Sequence, residues 1–266
     1  MITSSTYHEH LAVSIDEYDD NIELSINGLK KLGFKSFSIL TIGNKTASHL
    51  PDETLLKIRN YVGNHLVKNI KLDLGYTKVP SEKDIEKELA VAGFFKSQHI
   101  ILGCSALAFR DEQAFFNYLD IVTNKAISMS LIPLLDIGHD AFVHDPERFS
   151  QILLKHKKIR FLYDPSRFME RSRTYPLTKW WNVLNSYCSG LLLRDFKTGL
   201  GYFPLGHGST EIGDSFIQFI DRGGKNIIFK PSLGRRYGSI IGKSNTFALA
   251  IDILKEFLLD KERKNV

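Results

Sequence analysis

The sequence predicts a single-domain (β/α)8 TIM barrel, an α/β fold running over residues 1–266. Three observations carry this expectation. Amphipathic helical stretches alternate with short β-rich apolar runs along the whole chain. The runs end at Gly75, Cys104, Asp136, Asp164, Asp195 and Lys230, 28 to 35 residues apart, which is room for one strand and one helical crossover. Runs such as Ile100-Ile101-Leu102 and Leu191-Leu192-Leu193 are apolar throughout, as strands buried on both faces are. A doubly wound sheet shares these features, but eight such units in 266 residues favour the barrel.

The elements follow in order. His10 to Ser14 supplies the weakest strand. A helix over Asn21–Leu32 stops at Gly33, and strand Phe34–Leu40 follows. A helix around Asp52–His65 leads to strand Asn69–Gly75. Ser81 opens a helix with acidic residues in its first turns, before strand His99–Cys104. Asp111–Met129 leads to Leu131–Asp136. Asp145 with Pro146 behind it reads as an N-cap and N1 proline, opening the helix before Ile159–Asp164. Leu177–Tyr187 precedes Gly190–Asp195, with Trp181 expected in the helix–barrel layer and Trp180 facing outward. Ser209–Ile220 precedes Asn226–Lys230, and a last helix covers about Ser244–Leu259.

Composition narrows the partners. Hydrophobic residues are 43% and charged residues 24% of the chain, so a full core is expected. No apolar run approaches the roughly 20 residues of a membrane span, and the two cysteines make no disulfide framework; a cytoplasmic protein is expected. Net charge is +5 with pI near 9.0, yet the lysines are scattered among acids, which argues against a nucleic-acid groove and suits a small anionic ligand. A homo-oligomer is compatible with all of this. Gly238 to Ser244 resembles a phosphate loop, but one residue is missing between its first glycine and Gly-Lys-Ser, so nucleotide hydrolysis is rejected.

In such barrels the chemistry sits at the C-terminal ends of the strands. Polar residues end four apolar strands here: Asp136, Asp164, Asp195 and Lys230, with Arg194 beside Asp195. Alternation predicts that Leu134 and Asp136, Leu162 and Asp164, Leu192 and Arg194, and Ile228 and Lys230 each share the inward face. Arginines gather at the same rim: Arg167, Arg171 and Arg173, Arg194, then Arg235 and Arg236. Guanidinium groups bind phosphate or carboxylate in fork geometry.

The runs Leu131–Asp136, Phe161-Leu162-Tyr163-Asp164-Pro165-Ser166-Arg167, Gly190–Asp195, Pro204-Leu205-Gly206-His207-Gly208 and Ile227–Lys230, in this order, resemble the xylose-isomerase-like superfamily of sugar phosphate isomerases and epimerases, which also includes the apurinic endonucleases. The resemblance implies a divalent metal (Mn, Mg or Zn) held by Glu, Asp, His and Glu on successive strand ends. Here the first Glu falls on Asp136, the Asp on Asp164, the His on Leu192 with Asp195 kept, and the second Glu on Lys230. The His three residues after the family Asp is Arg167, and an acidic residue of the second strand is Ser38. Leucine offers a cation nothing and lysine repels it.

No metal is therefore expected, and Lys230, held by Asp136 and Asp164, is expected to take over its charge. A rescued metal site of Asp136, Asp164, His139 and His207 stays open, as does a Schiff base on Lys230. The resemblance implies isomerisation or epimerisation of a sugar or sugar phosphate by proton abstraction next to a carbonyl. Asp136, Asp164 and Lys230 are the expected catalytic residues; Arg167, Arg194, Asp195, His207 and Arg235 are the expected substrate contacts. The alternatives are a lyase or dehydratase of the same superfamily, and a degenerate barrel that binds a sugar-like or anionic ligand for regulation.

Overall fold

The computed structural model describes residues 3–43, 45–73, 80–104, 112–137, 145–171, 176–231 and 242–264. A helical turn α1 (Tyr7–His10) enters β1 (Leu11–Ser14), and helix–strand units follow: α2 (Ile22–Lys31) and β2 (Ser36–Ile39), α3 (Asp52–Val62) and β3 (Leu66–Asp73), α4 (Glu82–Phe94) and β4 (His99–Cys104), α5 (Glu112–Ser128) and β5 (Ile132–Ile137), α6 (Pro146–Lys155) and β6 (Arg160–Tyr163). Two helices, α7 (Pro165–Arg171) and α8 (Leu177–Leu184), precede β7 (Cys188–Leu193). A hairpin of β8 (Asp195–Lys197) and β9 (Gly201–Phe203) comes next, then α9 (Ile212–Asp221), β10 (Ile227–Phe229) and α10 (Lys243–Lys264).

Eight parallel strands close in the order β1-β10-β7-β6-β5-β4-β3-β2, so the expected (β/α)8 TIM barrel is the fold observed. The helix starts follow from their caps. Asn21 accepts hydrogen bonds from the amides of Glu23 and Leu24. Ser81 and Asp84 form a reciprocal capping box, and Asp145 caps α6 with Pro146 behind it, as their sequence patterns indicated.

Strand alternation sorts the core into two parts. Leu40, Ile101, Leu134, Leu162, Leu192 and Ile228 form an apolar plug inside the barrel, while their strand neighbours Leu135, Phe161, Leu191, Leu193 and Phe229 join the larger core under the helices. Each fully buried leucine or isoleucine contributes about 1.5–3 kcal/mol from burial. Two residues nearer the strand N-termini, Asn226 donates to Asn69 (2.8 Å) and Asn69 to Ser38 (3.0 Å), which gives the barrel a polar floor.

Two local expectations are corrected, and one element is new. Trp180 does not face outward: it is 1% exposed, because α7 lies over α8 and sets Phe168 against its ring at 4.4 Å between centroids. The helix expected from Ser209 starts at Ile212, since Ser209 and Thr210 are held back by hydrogen bonds to Phe196 and Asp195. The β8–β9 hairpin was not anticipated. No helix among the described residues is long and apolar enough to cross a membrane.

Candidate active site at the barrel mouth

Among the described residues, the mouth of the barrel above the apolar plug holds three buried ion-pair systems. The first joins β3 to β5. Lys71 pairs in register with Ile101, and Ile101 with Leu134, so its stem occupies the level of the plug. Its ammonium rises to donate to Asp136 Oδ2 at 2.9 Å. Burial pushes the Asp136 carboxyl up, but Lys71, Arg167 and Arg194 together outweigh it and hold the group at about 2. Asp136 Oδ1 is buried with no hydrogen-bond partner among the described residues.

The second system joins β6 to β7. Asp164 Oδ1 accepts from the Ser166 amide (3.1 Å) and hydroxyl (2.5 Å), and Oδ2 accepts from Arg194 Nε (2.9 Å) and Nη2. Arg167 Nε lies 3.7 Å from the same oxygen. The Arg194 guanidinium also lies 4.5 Å over the ring of Tyr202 on β9, so the hairpin roofs it. Burial acts to lower the Arg194 pKa, and Asp164 reverses that and raises it.

The third system corrects the expectation for Lys230. Its ammonium is not held by Asp136 and Asp164 but donates to Glu17 Oε1 (2.8 Å) and lies 3.3 Å from Asp16 Oδ2. Barrel order gives the reason: the strand before Lys230, β10, borders β1 and β7, while β6, which Asp164 follows, is two positions away and β5, which carries Asp136, is three, so the nearest acids are those just after β1. Burial raises the Glu17 pKa despite Lys230, and Lys230 is raised by Glu17 and Asp16 against its own burial.

Two expected substrate contacts stand elsewhere. Asp195 spends its carboxylate inside its own loop, accepting from the amides of Phe196 (2.8 Å) and Gly208 (2.9 Å) and the hydroxyl of Thr210 (2.6 Å). His207 is exposed on the turn after β9 and does not join the cluster. His139 and Arg235 lie outside the described residues, as do Arg173, Arg236 and the side chain of Arg171. Gly208 is required by this clamp, since a Cβ there would lie 2.0 Å from Asp195 Oδ1 and 2.7 Å from the Phe196 carbonyl. Gly208→Ala is expected to lower stability by about 1–3 kcal/mol, and an unchanged melting temperature would contradict the clamp.

Lys71, Asp16, Glu17 and Tyr202 were missed from the sequence. Lys71 was legible by alternation, being the inward neighbour of Asn69 on an apolar strand. Glu17 lies three residues past the weakest strand, where no motif drew attention to it.

The metal implied by the family resemblance does not fit this donor set. Asp136 and Asp164 are each occupied by a protein cation, Leu192 belongs to the plug and Lys230 brings positive charge. Among the described residues no three His, Cys, Asp or Glu side chains are grouped to hold a metal ion. The cations leave an acid signature. The Asp136 pKa falls from 3.8 to about 2 on folding, so its contribution is complete above about pH 4 and is lost as pH drops through 2. It is worth about 2 kcal/mol. Denaturant unfolding of wild type and Asp136→Asn across this range should show their stability gap narrowing towards pH 2; a constant gap would contradict the pairing.

No family model and no curated protein matches the chain in sequence. Solved structures do match it in fold. A xylose isomerase-like TIM barrel protein from Mycobacterium smegmatis, in complex with magnesium, superposes with TM-score 0.65 at 11% identity, over 97% of this chain and 100% of that one. A D-tagatose 3-epimerase-like protein gives 0.69 at 13% identity, over 97% and 100%. The probable 3-DHS dehydratase AsbF involved in petrobactin synthesis, from Bacillus anthracis, gives 0.64 at 12%, over 92% and 98%. The chain therefore has the fold of the xylose-isomerase-like TIM barrels.

Proposed function

We propose that the barrel mouth binds a sugar, sugar phosphate or related polyhydroxy carbonyl compound and isomerises or epimerises it without a divalent cation. The observation that carries this is the set of buried protein cations, Lys71, Arg194 and Lys230, each seated on carboxylates at the strand ends. Such fixed charges stabilise a developing oxyanion without reorganising during the reaction. The unpartnered Asp136 Oδ1 is suited to accept a hydrogen bond from a substrate hydroxyl, and Arg167 and Arg194 suit an anionic group.

Proton transfer fits Glu17 better than the aspartates first expected. Asp136 at about 2 is a weak base, and both oxygens of Asp164 are engaged. Glu17 is raised by burial, which brings its basicity nearer to neutral pH, and it touches Lys230. In the proposed step the Glu17 carboxylate takes the proton from the carbon next to the carbonyl. The C–H electron pair enters the C–C bond, and the carbonyl π pair moves onto oxygen, where Lys230 meets it. For isomerisation the neighbouring hydroxyl passes its proton to the former carbonyl oxygen, and return of the abstracted proton to the former carbonyl carbon leaves the new carbonyl beside it. Return of a proton to the opposite face of the original carbon re-forms the first carbonyl and epimerises the substrate.

The test is a panel of aldoses, ketoses and their phosphates incubated in deuterated water with chelator present. Deuterium entering the carbon next to the carbonyl is the expected result. Exchange that requires added Mn, Mg or Zn, or none with any compound, would contradict the proposal. Engagement of both aspartates by cations favours a second reading, binding for regulation without turnover, which predicts ligand-induced thermal stabilisation with no deuterium uptake.

A further inference from the structure

The opposite, N-terminal end of the barrel carries a second concavity that the mouth chemistry does not use. It has a volume of about 590 Å³ and is walled by residues at the starts of β3, β4 and β7 and by the segment between α9 and β10. Lys68, His99, Arg222 and Lys225 line it, Ser186 and Ser189 add hydroxyl-bearing residues, and no Asp or Glu is among its lining residues. Its size falls within the range of small-molecule pockets.

Lys68 contrasts with the most buried lysines of the salt bridges, Lys71, Lys230 and Lys261, each of which meets a carboxylate within 3 Å. Lys68 instead donates to a neutral acceptor, the Lys225 carbonyl, at 2.7 Å. Burial lowers its pKa, with no acid among the described residues acting to restore it. His99 directs Nδ1 to the Lys68 carbonyl at 3.3 Å, and burial, joined by Lys68, brings it to about 4. Burial thus disfavours the cationic forms of two facing groups, and no carboxylate among the described lining residues offsets it. Arg222 reaches the Cys188 carbonyl at 2.9 Å on the same wall, and Lys225 is exposed at its edge. An ammonium kept half-buried with no counter-ion among the described residues, facing a basin with no carboxylate among its described lining residues, is the arrangement an anion completes.

We infer that this N-terminal basin binds a small multivalent anion, a phosphate or phosphate ester, through Lys68 and Lys225. The inference does not depend on the chemistry proposed for the mouth. Inorganic phosphate is titrated into the whole protein at low ionic strength while the His99 imidazole resonances, assigned with His99→Gln, are followed by NMR. Glycerol phosphate and citrate run as parallel arms.

Saturable movement of the His99 resonances with phosphate, weakened about tenfold or more in Lys68→Met, is expected. Saturation by the ester at lower concentration would point to a phosphorylated metabolite; equal saturation by inorganic phosphate would point to the free ion. Lys68→Met should melt no lower than wild type, because an apolar chain replaces an uncompensated ammonium. Should it fail to fold, the exposed Lys225→Ala must show the weakening instead. Non-saturating shifts, unchanged affinity in the variants, or tighter binding of citrate than of phosphate would overturn the inference.

Discussion

Arg194→Met is expected to lower folding stability by about 3–5 kcal/mol, the largest effect of any single change at the mouth. Asp164 is 2% exposed, and Arg194 supplies both hydrogen bonds to its Oδ2. Removing the guanidinium leaves a buried carboxylate with Arg167, 3.7 Å away, as its remaining cation. The loss extends to the hairpin, because Tyr202 packs against the same guanidinium. Denaturant unfolding measures the effect. The double variant Arg194→Met with Asp164→Asn should recover part of it, since a neutral amide is less costly to bury than an unpaired charge. A single variant within about 1 kcal/mol of wild type would show that the pair is not a structural element of the mouth.

Lys230→Met is expected to lower turnover as well as stability, because the buried Glu17 carboxylate loses its cation. If the ammonium meets the developing oxyanion, its removal should lower kcat by about 10²–10³. Glu17 then stays buried without its cation, and its pKa rises further, so the pH profile of the residual activity should move upward. That shift reports the Lys230–Glu17 pair, whereas the fall in kcat reports the contact with the oxyanion. Lys230→Arg should retain more activity than the methionine, although the guanidinium fork does not reproduce a compact ammonium. Activity in Lys230→Met within a few-fold of wild type would remove the lysine from the chemistry.

The barrel was legible in the sequence for a clear reason. Two-residue alternation on apolar strands and a steady strand-to-strand spacing are properties of the chain, and they placed Leu134, Leu162, Leu192 and Ile228 inside the barrel, where they lie. The same alternation put Asp136, Arg194 and Lys230 at the mouth. Pairing partners were not legible, because which cation meets which carboxylate depends on strand order and side-chain reach. Lys230 meets acids on the loop after β1, its neighbour in the barrel, although these are 213 and 214 residues away in sequence. Lys71 was overlooked because attention to strand ends passes over a long side chain that starts lower and climbs. Asp195 looked like a rim residue, but the loop after β9 folds back and consumes its oxygens.

The resemblance in sequence motifs implies a metal cation at the mouth, while the residues present supply cations of their own. Elemental analysis decides between them most directly. The purified protein is equilibrated with Mg, Mn or Zn, passed through gel filtration and measured for bound metal. The protein cations on Asp136 and Asp164 predict metal well below one ion per chain, unchanged in Asp136→Asn. One ion per chain that survives filtration and is lost in Asp136→Asn would contradict the account.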